Sequence, residues 1–205
     1  MAVRPAGAQL ALGIVLLTLA CAGARGRAES EVAAAEQALA ALPPEVAKVL
    51  PEELAPLNEA VNQGRDQFAK GEYAAASASV REVPAKARVL ADSLPARSAA
   101  LRAALDTLSV AMPRNLAAIQ AKLDTIGRAS RLPRGLDEQE FQEAKDTHAA
   151  VSAEWPEVMT AVQAGELASA MTRALNLKAR VSRSLMALGL VSDERAWSNV
   201  TLPPR

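Results

Sequence analysis

Apolar residues recur along most of the chain at alternating steps of three and four. Val32, Ala35, Leu39 and Leu42 begin the pattern, and Leu54, Leu57, Val61, Gly64 and Phe68 continue it. A longer stripe runs through Tyr73, Ala76, Val80, Val83, Ala87, Leu90 and Leu94. Leu101, Leu105, Leu108 and Met112 follow, then Leu116, Ile119, Leu123 and Ile126. The clearest stripe is Phe141, Ala144, His148, Val151, Trp155, Val158 and Val162. The last is Leu167, Ala170, Ala174, Leu177, Val181, Ser184 and Leu188. This spacing gathers apolar side chains on one face of an α-helix. No segment alternates with the period of two that marks a half-buried strand. The 47 Ala and 26 Leu residues favour helix as well.

Helix punctuation agrees with the stripes. Pro43, Pro44, Pro51, Pro95 and Pro113 fall near segment starts, where a missing N–H costs nothing. Asp137 and Glu140 have capping-box spacing, and Gly71 and Gly165 sit where tight helix–helix turns are needed. Gly189 follows the last stripe as a C-cap. Pro84 and Pro156 lie inside stripes and predict a kink or break. The expected helices are 29–42, 52–70, 72–94, 96–111, 114–127, 138–164 and 166–188. The predicted fold is all-α: an elongated antiparallel helical bundle, or stacked helical hairpins, of about six to seven helices. Residues 29–190 read as a single helical domain, with the basic loop 128–136 as its one candidate sub-boundary. Residues 191–205 form a tail that contains Trp197.

Two hairpins share a weak internal repeat. Gly71-Glu72-Tyr73 matches Gly165-Glu166-Leu167, and Ala76 and Ala170 each lie five residues past the Gly. Lys86-Ala87-Arg88-Val89 returns as Lys178-Ala179-Arg180-Val181, with a two-residue difference in length. Duplication and convergent Ala-rich composition both account for this. At about 58–90, Gly64, Gly71, Tyr73, Ala76 and Val80 fall at the spacings of a tetratricopeptide repeat, which this hairpin resembles in part. The family's large residue in the first helix and its later Ala and Pro are missing, and no 34-residue period runs through the chain.

The first 28 residues follow a different pattern. Arg4 is the one charge among the first 24 residues, and an apolar run, Leu10–Ala20, precedes Cys21. A positive start, a short apolar core and small residues after it read as a secretory signal peptide. The uncharged stretch Ala6–Ala24 has 19 residues, close to the roughly 20 needed to span a bilayer, so an uncleaved anchor is a second reading. Leu17-Thr18-Leu19-Ala20-Cys21 resembles the lipobox of bacterial lipoproteins. Ala20 supplies the small residue before the Cys, while Thr18 and Leu19 depart from the usual pattern. The resemblance implies residues 1–20 as signal peptide and cleavage before Cys21. It also implies a thioether diacylglycerol and an N-acyl chain on Cys21, with residues 21–28 as tether. Ala22, in place of Asp, implies the outer membrane by the family's sorting rule. Ordinary cleavage after Ala22 or Ala24 would instead yield a soluble secreted or periplasmic protein.

Composition narrows the function. Lys plus Arg equal Asp plus Glu at 23 each, and loss of residues 1–20 leaves a formal charge of about −1. Neither value gives a nucleic-acid footprint, and five aromatic residues offer little stacking surface. One Cys excludes an intrachain disulfide framework and any Cys-based metal site within one chain. His148 is the sole imidazole and lies on a packing stripe facing the bundle. The chain lacks paired Glu-x-x-His motifs, a Walker loop and a Gly-x-Ser-x-Gly elbow. Glu154 and Glu157 read as a solvated charged face, and Arg128, Arg131 and Arg134 as a solvated linker, with a contact for anionic headgroups or an acidic partner as the second reading. We therefore expect no enzyme, no catalytic residue, no metal and no cofactor. The expected protein is a lipid-anchored cell-envelope protein that binds or scaffolds a protein partner through helix faces. The alternative is a periplasmic carrier holding an apolar ligand or haem between helices. There His148 would serve as ligand, with Met112, Met159 or Met171 opposite.

Overall fold

A computed structural model describes the backbone of residues 8–129 and 131–190, with side chains from residue 23 onward. Cys21's thiol, the other side chains of residues 1–22, expected as signal peptide and start of the tether, and Trp197 lie outside the described residues. Seven helices and no strand are present among those described: α1 Ala8–Ala40, α2 Val46–Val49, α3 Pro51–Ala69, α4 Tyr73–Val80, α5 Val83–Gly127, α6 Glu138–Gln163 and α7 Leu167–Ala187. The fold is all-α, as the stripes predict.

The helices form two compact units, one ending at Ser93 and the other beginning at Leu94. In the first, α3 and α4 make a hairpin, α1 packs on both, and α2 packs on α3. In the second, α6 and α7 make a hairpin. The later part of α5 buries its stripe there, from Leu101 through Leu108 and Met112 to Ile126. The basic loop 128–136 joins α5 to α6 inside this second unit.

The two hairpin turns are nearly superimposable in their backbone bonding. Gly71 has φ 81° and Gly165 φ 77°, a left-handed conformation that glycine adopts without a Cβ penalty. The Gly71 N–H donates to the Phe68 carbonyl and the Glu72 N–H to the Gln67 carbonyl. The Gly165 N–H donates to the Val162 carbonyl and the Glu166 N–H to the Ala161 carbonyl. Each pair is a Schellman closure that satisfies the orphan carbonyls of a helix end. Glu72 and Glu166 then open the next helix with matching ψ of 57°. Ala76 and Ala170 are both fully buried. The repeat thus holds through the turn and into the second helix. It does not extend to the tetrapeptide: Ala87 is buried and Val89 is 68% exposed, whereas Ala179 is exposed and Val181 buried.

Proline behaves differently from the sequence expectation. Predicted helices 96–111 and 114–127 are fused with the end of 72–94 into α5, which carries Pro95 and Pro113 in its interior. Both prolines are exposed, and the carbonyls they leave unbonded belong to Ala91 and Ser109, neither of them buried. Water can bond such carbonyls, so the helix continues. Pro156, exposed inside α6, behaves alike. Pro84 is the contrast. It would orphan the carbonyl of Val80, which is fully buried, and here the helix breaks at Arg81-Glu82.

The start of α1 also extends the expectation. Residues 23–28, read as tether, are helical, and Ala28 is fully buried. Ala28 continues the stripe of Val32 and Ala35 one turn back, and Arg27 pairs with Glu31 at 2.8 Å in the helix-stabilising i, i+4 arrangement. Deeper in this unit, Gly64 lets α3 and α4 approach closely. A Cβ there would lie 2.4 Å from Val80 Cγ1, itself part of a stiff, fully buried side chain.

Two substitutions test this packing. Gly64→Ala gains about 1 kcal/mol of helix propensity but forces an overpacked contact costing about 1–3 kcal/mol. Chemical denaturation should therefore register a net loss of stability, larger for Gly64→Val. Pro113→Ala restores a backbone bond on the exposed side of α5 and should raise stability by about 1–3 kcal/mol in the same assay.

Candidate functional site

The capping box at α6 forms as its spacing predicts. The Glu140 N–H donates to Asp137 Oδ1 at 2.8 Å, and the Asp137 N–H donates to Glu140 Oε2 at 3.1 Å. This sets the phase of the helix, so that Ala144, Val151, Trp155 and Val158 enter the core. His148 shares that stripe and is half-buried. It lies at the edge of an open groove of about 920 Å³ between the end of α5 and the start of α6. Leu123 and Phe141 supply its apolar wall, and Asp124, Arg128, Lys145 and Asp146 its charged rim.

The rim charges are engaged on their own helices. Gln120 donates to Asp124 Oδ1 at 2.8 Å, and Gln142 donates to Asp146 Oδ1 at 2.9 Å. Lys145 Nζ stands 5.3 Å from the centroid of the Phe141 ring, a cation–π contact. Arg128 Nε donates to the Asp124 carbonyl at 3.1 Å. Among the described residues no three His, Cys, Asp or Glu side chains come together as metal ligands. Of the methionines considered as haem ligands, Met112 and Met171 are fully buried and Met159 half-buried; none lines the His148 groove. The groove is thus an amphipathic surface with a mixed rim.

Glu154 and Glu157 face the neighbouring helix. Arg180 donates to Glu154 Oε1 at 2.7 Å, and Arg173 approaches Glu157 at 3.9 Å, so both carboxylates clasp α6 to α7. Arg131 and Arg134 are exposed on the loop beyond Arg128.

Sequence reasoning missed an ionic cluster in the first unit. Glu31 on α1 accepts from Arg27 at 2.8 Å through Oε1, while Oε2 is shielded from solvent. The buried Ser77 of α4 lies within reach of the carboxylate, and the charge of Arg81 at the end of α4 adds to the field. The bond from Arg27, then the Ser77 hydroxyl, hold the Glu31 carboxyl below the usual glutamate range, with burial opposing them. The i, i+4 spacing of Arg27 and Glu31 was visible in the sequence; the meeting with α4 was not. Between α1 and α3, Arg65 pairs with Glu36.

No protein-family model, curated protein or solved structure matches this chain.

The Glu31 cluster predicts an acid response. With the folded value below the free one, the unfolded chain binds more protons through the intervening window. The stabilisation is complete above the ordinary glutamate range, near pH 4–5, and is lost as pH falls through the folded value. In thermal melts between pH 7 and pH 3, Glu31→Gln should start less stable and lose less on acidification than the parent. An equal loss in both chains would refute the assignment.

Proposed function

We propose that the chain is a cell-envelope lipoprotein. Its helical body would face the periplasm and act as a binding or scaffolding module for a protein partner. One observation carries the reading: the only cysteine of the chain, Cys21, stands directly after a short apolar run that follows a single Arg, with Ala20 before it. A thiol there, followed by amphipathic helices, fits an anchored module. Two or more acyl chains give stable anchoring where one chain is marginal. No helix among the described residues is long and apolar enough to cross a membrane. Ala22 after the Cys favours the outer membrane. The body offers long helix faces for recognition, and its near-zero charge speaks against a nucleic-acid partner.

The test is metabolic labelling with palmitate in a bacterial host. The parent chain should take up label and partition with the membrane fraction. Cys21→Ser should take up none and keep its leader. Label in neither chain, with the parent recovered as a soluble periplasmic protein, would establish ordinary signal cleavage instead.

A further inference from the structure

α1 is one uninterrupted helix from Ala8 to Ala40, so no loop separates Cys21 from the part that packs in the first unit. From Gly23 onward, the first buried side chain is Ala28. Seven residues of helix cover about 10 Å, and even a fully extended chain of that length covers only about 25 Å. A lipid on Cys21 would therefore hold the first unit close to the bilayer surface. Between Cys21 and Glu29 the chain carries Arg25 and Arg27 and no carboxylate. Both arginines are exposed. They stand about 6 Å and 9 Å along the helix from Cys21, comparable to the electrostatic screening length of about 8 Å at physiological salt. Arg27 is also braced from behind. Its Nε donates to Glu31, whose carboxylate meets α4, and the terminal nitrogens of a guanidinium provide further donors.

We propose that Arg25 and Arg27 bind anionic phospholipid headgroups and hold the first unit against the bilayer in which Cys21 is anchored. The inference rests on the lipidation of Cys21 proposed above. Guanidinium groups suit phosphate because their paired N–H donors match its oxygens. The contact couples to the fold through Glu31, so the headgroups would register the orientation of the unit as well as its distance.

The experiment uses the full chain purified from membranes, with Ser30→Cys added on the exposed side of α1 to carry a fluorophore. Acylation removes the Cys21 thiol from the labelling reaction. The protein is reconstituted into phosphatidylethanolamine–phosphatidylglycerol vesicles containing a lipid with a nitroxide on its headgroup. Palmitate incorporation is measured on the same preparations. The expected result is strong quenching in the parent, falling at least twofold in Arg25→Gln/Arg27→Gln and on addition of 0.5 M salt, with palmitate incorporation unchanged. Arg25→Gln alone keeps the Arg27–Glu31 bond and should give an intermediate loss, so a folding defect in the double variant does not decide the outcome. Full incorporation with equal quenching in all three chains, and equally in vesicles of phosphatidylcholine alone, would overturn the headgroup contact and leave the anchor standing. Lack of incorporation in the parent would overturn both.

Discussion

Everything in each hairpin depends on one backbone event: a glycine in the left-handed region ends a helix and returns its last carbonyls to hydrogen bonds. At Gly71 and Gly165 the closure is made by the same two bonds. Only after the chain has reversed can Gly64 meet Ala76 and Val80, or Glu154 meet Arg180. The burial that follows is built from small side chains. Ala76, Ala170 and Ala174 are fully buried, and such residues lose little rotamer freedom on folding. They also contribute little apolar area each, so stability must come from close approach along whole helices.

Proline placement shows how solvent decides what a helix tolerates. Pro95, Pro113 and Pro156 each remove a hydrogen bond without ending their helix, because each lies on an exposed face. Pro84 removes a bond whose carbonyl would be sealed behind Val80, and there the helix stops. The ring is the same in all four cases. The difference is whether water can reach the orphaned oxygen.

Much of the fold was legible in the sequence for the same reason. The stripes Leu101–Ile126 and Leu167–Leu188 are buried almost as written, since a three-four period leaves a helix little choice of face. The capping box at Asp137 was readable because both its bonds are local. What failed to show was tertiary. The fusion of three predicted helices into α5 depended on which side Pro95 and Pro113 would face. The half-exposure of His148 depended on how far the end of α5 covers α6. The Glu31 cluster required α4, 46 residues further on, to bring Ser77 to α1. The reading of residues 1–20 as a leader rests on composition and order along the chain alone.

The broken phase of the repeat has a consequence for ancestry. In the first hairpin the helix breaks at Arg81-Glu82 before Lys86 is reached, whereas α7 runs unbroken from Leu167 through Val181. Lys86–Val89 and Lys178–Val181 therefore present opposite faces to their cores despite identical letters. If the two hairpins descend from one ancestor, what was inherited is the turn and the first buried alanine beyond it. The matching tetrapeptide belongs to composition, and an alignment drawn through it would pair residues that do unlike work.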